Sequence, residues 1–268
     1  MILALGVAFF RVDGFGGYTF IGFENFQRMA SDALLWRSLG VTGTMVLVFV
    51  PVTFFLALSL AVLVKERFPG FIAVRALIFM PHVLSLVVIG VLWQFMLVDK
   101  QGVVPQVTAP FGLGDLSWLG TPSLALPTLI VVAVWFTTGY QMYLFLNGLI
   151  DIPNEYMEAA RVDGASAWQR FWKITWPLLA PTSFFVLITS LVAAVTGVQA
   201  FDLVYILTRG GPANSTSTIV FYIYEQAFDF GDFGYAAAIT TLTVIFLVIV
   251  TAVMLIVTRG GRFNADTE

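Results

Sequence analysis

Five stretches of this chain contain no Asp, Glu, Lys or Arg: residues 38–64, 76–98, 116–150, 174–201 and 233–258. A helix crosses the hydrocarbon of a bilayer with about 20 apolar residues, so each stretch is long enough to span. Inside lipid every backbone amide and carbonyl must be paired within the protein, which leaves helices as the form for such runs. The 116–150 stretch exceeds one span. Its front, with Gly120, Pro122 and Pro127, is expected to be loop and first helical turns, and Pro51 is the clearest kink candidate. The rest of the composition agrees. Of the 268 residues 59% are hydrophobic and 11% charged, against about a quarter charged in soluble domains, and the mean hydropathy is +0.92. The expected fold is an all-α, polytopic membrane helix bundle. It has five complete spans plus a truncated first helix, read from the ten residues before Arg11, which are too few to cross. No repeat or low-complexity tract divides residues 1–268, so one membrane domain is expected.

Orientation follows from Lys and Arg in the connecting segments. With the segment around Glu158 in the cytoplasm, the inner segments hold Lys65, Arg67, Arg75, Arg161, Arg170, Lys173, Arg259 and Arg262. The outer ones hold Arg11, Arg28, Arg37, Lys100 and Arg209, a bias of eight to five in the required direction. The outer segments are then 11–37, with Gly14, Gly16 and Gly17, followed by 99–115 and 209–232.

Several chemistries are excluded. The chain has no cysteine, which removes disulfides, thiolate metal sites and cysteine catalysis. One histidine, His82, cannot form a metal cluster, and without a nearby acid in sequence it reads as a packing or hydrogen-bonding residue rather than a proton relay. A net charge of −3 gives no reason to expect nucleic acid. No convergent nucleophile or acid–base group marks an enzyme.

The interruption of this apolar pattern at residues 151–177 is the most informative segment. Asp151 and Pro153 are suited to start a helix, which should run from Glu155 to Val162 and break at Gly164. Ser166 and Gln169 have capping-box spacing for a second helix. Trp168, Phe171 and Trp172 share one face of it, and Pro177 opens the next span. On pattern alone, an aromatic and basic helix of this kind also fits one lying on the headgroups.

Glu158-Ala159-Ala160, three residues, Gly164, nine residues, then Ile174-x-x-Pro177 resembles the EAA loop of importer permeases of the ATP-binding cassette class. Trp176 stands where that family usually has Leu. The segments GFENF (22–26), LTRGGP (207–212), YEQAF (224–228) and GYAAA (234–238), in order, are similar to those of carbohydrate-uptake permeases of the maltose and glycerol-phosphate type. The resemblance covers nearly the whole chain. It implies a permease forming half of a pore with a second, homologous permease. Two ATP-binding cassette subunits and an extracytoplasmic solute-binding protein complete the assembly, in a bacterial or archaeal cytoplasmic membrane.

The family's EAA loop docks in a groove of the ATPase. Glu158, Ala159, Ala160, Arg161, Asp163, Gly164, Trp168 and Phe171 are therefore the expected coupling residues. Ala159 and Ala160 permit close approach, Gly164 the turn, and Glu158 and Arg161 ion pairing across the interface. No lysine follows a glycine anywhere in the chain, so it has no Walker-type phosphate loop. No cofactor is expected in this chain, and ATP and Mg are expected on the partner ATPase.

The resemblance also places a substrate path between the helices flanking the loop. On the first, Trp135, Thr138, Gly139 and Met142 fall on one helical face. On the second, the matching positions are Thr196, Gly197 and Ala200, with Gln199 and Asp202 as adjacent polar candidates. Thr and Gly are equally common as packing residues between membrane helices. Asp202 is either functional, as intramembrane acids usually are, or paired with Arg209. The asparagines of the maltose-type pattern are missing, so the sugar or its contacts should differ. Neither helix carries Arg or Lys, which disfavours phosphorylated cargo. An ion-coupled secondary transporter is the alternative, but it would require acids buried in mid-span.

Overall fold

The computed structural model describes residues 2–12, 17–66 and 69–260; Gly14, Gly16, Arg67 and Arg262 from the sequence analysis lie outside them. The chain opens with a short helix, α1 (Ile2–Val7), and a hairpin of β1 (Phe10–Val12) and β2 (Tyr18–Phe20), paired antiparallel with Phe10 opposite Phe20. Among the described residues the bundle is helical, as expected, with this small two-stranded sheet added at its start.

The first long helix, α3 (Ala33–Lys65), follows the amphipathic α2 (Glu24–Ser31). Asp32 starts α3 by accepting the amides of Leu34 at 3.0 Å and Leu35 at 3.2 Å, which satisfies two otherwise unpaired N-terminal donors. The helix continues through Pro51. The next apolar stretch is not one straight span. It forms α4 (Phe71–Val83) and α5 (Leu86–Met96), bent by 96°. Pro81 lacks an amide to continue the ladder, and Leu84 and Ser85 are extended, with ψ of 151° and 130°.

After α6 (Val103–Thr108), α7 (Pro122–Ile150) begins with Pro122 in its first turn and carries Pro127 inside. Short α8 (Asn154–Val162), α9 (Ala167–Arg170), a π-helical turn (Phe171–Thr175) and α10 (Trp176–Leu178) connect it to α11 (Ala180–Thr196). An extended Gly197 separates α11 from α12 (Val198–Leu207), and together they continue past the expected end at Phe201. After α13 (Ile219–Tyr224), the last helix is α14 (Phe233–Gly260). Among the described residues four helical stretches are long and apolar enough to cross a membrane, or five if the bent α4–α5 pair counts as one.

Of the spans, α7 is the most enclosed and α14 the least, with 72% and 11% buried within an 18-residue stretch of each; α7 is therefore the central post. Met45 and Phe49 of α3 pack with Leu129 and Phe136 of α7 in one cluster. Phe54, Ala57 and Ala61 of α3 pack with Phe145 and Leu149 of α7 in the next. Small residues at such contacts let helix backbones approach closely.

At the end opposite the Glu158 segment, one carboxylate ties three helices together. Asp32 accepts the Tyr222 hydroxyl at 2.6 Å and also the Tyr235 hydroxyl. Arg28 pairs with Asp232 and lies 3.9 Å over the Tyr235 ring. Burial raises Asp32's pKa, but the bonds from Tyr222, Tyr235 and the two amides outweigh it and hold the carboxyl below its ordinary value. Burial and the bond to Asp32 push the Tyr222 hydroxyl well up.

Candidate coupling loop and translocation path

The loop is built from local rules. Asp151 does not cap α8, as the sequence implied; its amide closes α7 on Asn147 O at 3.0 Å, and Pro153 stands before α8 without a side-chain cap. The far end of α8 closes as a Schellman motif. Gly164 N donates to Arg161 O at 3.1 Å, and Ala165 N to Ala160 O at 2.9 Å. That motif needs a left-handed residue, and Gly164 supplies it with φ +75°. A Cβ there would meet no atom within 4 Å, so its surroundings are open. The capping box forms as expected: Ser166 N donates to Gln169 Oε1 at 2.8 Å, and Gln169 N to Ser166 Oγ at 3.3 Å. The π-helical turn that follows was not visible in the sequence.

Glu158, Ala159, Arg161, Asp163, Gly164 and Trp168 are exposed, while Ala160 is buried. Trp168 is 71% exposed and Val162 88%, so the turn presents apolar surface beside its charges. Phe171 is half-buried against the Phe54–Phe145 cluster; Trp172, not Phe171, is the exposed partner of the Trp168 ring, with centroids 5.5 Å apart.

The expected path residues divide into separate environments. Trp135, Thr138 and Gly139 line one open groove of about 710 Å³ between α3, α4 and α7, whose walls are otherwise mostly aliphatic. Met142, two turns beyond Trp135 along the same face, does not line this groove and is fully buried in the core. Gly139 is where α4 rests on α7: a Cβ would sit 2.2 Å from Ile78 O. Gly197 lies at the α11–α12 break, Ala200 is fully buried, and Thr196 returns its hydroxyl to Val192 O at 3.1 Å. None of Thr196, Gly197, Gln199, Ala200 and Asp202 lines the Trp135 groove. Asp202 forms no ion pair with Arg209, which instead stacks over Tyr205 at 5.8 Å.

Sequence reasoning missed the polar seam between these helices. Gln199 Nε2 donates to Thr137 Oγ1 at 3.2 Å, and Gln141 Nε2 to Ser190 Oγ at 2.6 Å, all four residues buried. An amide in the middle of a span, Gln141, was the available signal. His82 stacks on Tyr140 with centroids 4.8 Å apart and 18° between planes, a packing arrangement.

This arrangement of helices around an exposed, glycine-turned loop has known counterparts. The family described as binding-protein-dependent transport system inner membrane component matches residues 50–262. The chain belongs to that family. The trehalose/maltose transport system permease protein MalF of Thermococcus litoralis is 34% identical to this permease over 248 residues, covering 92% of the chain and 81% of that protein. The sulfoquinovosyl glycerol transport system permease protein SmoG of Agrobacterium fabrum is 33% identical over 240 residues, covering 90% and 77%. In fold, the permease superposes with a chain of a bacterial alginate transporter, solved with an alginate-pentasaccharide-bound periplasmic protein. The TM-score is 0.79 at 24% identity, covering 87% of this chain and 81% of the other. The permease is therefore a multi-pass transport component of an ATP-binding cassette importer.

Proposed function

We propose that this permease forms one half of the translocation pore of an ATP-driven sugar importer in a bacterial or archaeal cytoplasmic membrane. A second, homologous permease supplies the other half. Two ATP-binding cassette subunits bind ATP and Mg, and an extracytoplasmic solute-binding protein delivers the cargo. The observation that carries this reading is the exposed helix–glycine turn–helix between two spans of a chain that itself lacks a phosphate loop. Names of relatives that transport trehalose/maltose and sulfoquinovosyl glycerol support the substrate class.

In this reading residues 151–177 face the cytoplasm and the Asp32 cluster faces outward. Glu158, Ala159, Arg161, Asp163, Gly164 and Trp168 contact the ATPase. Ala160 and Phe171 hold that surface in shape from beneath, Ala160 by closing the turn and Phe171 by seating it on the core. Trp168 is the apolar anchor, a residue type that dominates interface energetics.

For the path, Trp135 is the exposed cargo contact on α7, and Thr138, buried beside it with its hydroxyl donated to Val134 O at 2.6 Å, lines the same groove. An indole stacks on the C–H face of a sugar and a threonine hydroxyl bonds its edge. Asp202 is the ionic group that α12 offers the path, Gln199 ties α12 to α7 through Thr137, and Gly139, Met142, Thr196, Gly197 and Ala200 shape the two helices that carry these groups.

Purification tests the assembly. Expressed with the transport genes beside its own, this chain should co-purify with a distinct permease and two ATPase subunits. Purified alone, it should hydrolyse no ATP. Active, ATP-hydrolysing transport by the isolated chain would overturn the proposal.

A further inference from the structure

The coupling loop is covalently joined to α7 on one side and, through α10, to α11 on the other. The long helix α3 has no such link, although it packs along α7 for most of its length. A continuous set of aromatic rings fills this gap. Exposed Trp168 meets Trp172 with centroids 5.5 Å apart, and Trp172 meets Trp176 at 5.6 Å. Trp176 meets Phe54 of α3 at 6.3 Å, edge to face, and Phe54 meets Phe145 of α7 at 5.1 Å. Exposure falls along the series, from 71% at Trp168 to 44% at Trp172, then 4% at Phe54 and 0% at Phe145. The tryptophans recur every four residues through the π-helical turn, so one face of one short segment carries all three. Tightly packed rings move as a unit because interiors are close-packed and resist compression.

We infer that Trp176 and Phe54 are positioning residues that carry movement of the coupling loop into α3. This rests on the reading of residues 151–177 as the ATPase-docking loop, and it assigns the route beyond that contact. Trp176 is the joint. Its ring is the last on the loop side and meets Phe54 edge to face, whereas Phe171, which also seats the loop on this cluster, pairs with Trp176.

The test uses the complete importer, with its partner permease, ATPase and solute-binding protein, reconstituted in vesicles. Uptake and ATP hydrolysis are measured together in Trp176→Leu, Phe54→Leu and the double variant, with Trp176→Phe and Trp168→Ala as references. Leucine keeps an apolar group at each site but removes the ring pair. Both single variants should assemble and keep receptor-stimulated ATP hydrolysis, while sugar moved per ATP falls about five-fold, the order expected from losing one aromatic pair. The double variant should be no worse than either single one, because both remove the same contact. Trp176→Phe, which keeps a ring, should stay close to wild type. Unchanged sugar per ATP in both single variants, or additive losses in the double one, would overturn the inference. Trp168→Ala separates the two levels. A drop in receptor-stimulated hydrolysis there upholds loop docking whatever Trp176 and Phe54 do. No drop would remove the docking reading and the inference with it.

Discussion

Two residues show how single positions hold this bundle together. Gly139 is fixed by contact: a Cβ would stand 2.2 Å from the Ile78 carbonyl oxygen, and backbone cannot yield as a flexible side chain can. Gly139→Ala should destabilise the protein by about 1–3 kcal/mol, the usual cost of overpacking, seen as a lower melting temperature in detergent. An unchanged melt would show that α4 can lift off α7 freely. Asp32 is fixed by hydrogen bonds. Its carboxyl titrates below its ordinary value of 3.8 in the folded protein. Its contribution to stability is therefore complete above that value and is lost as pH falls through the lowered folded value. Wild type should melt above Asp32→Asn by a constant margin from neutral pH down to the ordinary carboxylate range, and the margin should shrink below it. A margin that stays flat or grows in acid would contradict the hydrogen-bonded carboxylate.

At the scale of elements, the loop of residues 151–177 was legible and the spans only partly so. Gly164, Ser166 and Gln169 act through neighbours within a few residues, so the Schellman turn and the capping box could be read from spacing alone. The α4–α5 bend could not be read in this way. Residues 76–98 contain no Asp, Glu, Lys or Arg to divide them, and although Pro81 weakens the ladder, the size of the 96° turn depends on what α4 and α5 pack against: α7 for the first, α12 for the second. The small sheet was hidden for a related reason, since three-residue strands leave no periodicity to detect. The candidate path suffered most. Helical spacing put Met142 on a face with Trp135 and Thr138, but that face passes from an open groove into the packed core, and Met142 lies two turns beyond Trp135, fully buried. For the loop, Gly164→Trp meets open surroundings but strains the left-handed turn at φ +75°, so it should both distort the turn and obstruct seating in the ATPase. Receptor-stimulated hydrolysis and uptake should both fall at least about ten-fold, the loss of one strong interface contact. Gly164→Asn, which tolerates the left-handed conformation, should lose less. Full stimulation in an assembled Gly164→Trp complex would contradict docking at this turn.

At the scale of the whole molecule, the proposed role asks this bundle for helices, a path and a loop, and leaves the ATP chemistry to a partner. The charge distribution makes one statement about cargo. Neither α7 nor the α11–α12 pair carries Arg or Lys, and Asp202 is the ionic group they contribute. Neutral or cationic sugars should therefore compete for uptake better than sugar phosphates. Preferential uptake of the phosphate form would show that the partner permease provides bases this chain lacks. The central claim, ATP-driven import through this permease, is tested most directly by energising reconstituted vesicles that contain the complete importer and its solute-binding protein. Labelled sugar uptake should stop when vanadate blocks ATP turnover and continue when an uncoupler collapses the ion gradients. Uptake that survives vanadate and stops with the uncoupler would contradict the account and identify an ion-coupled transporter instead.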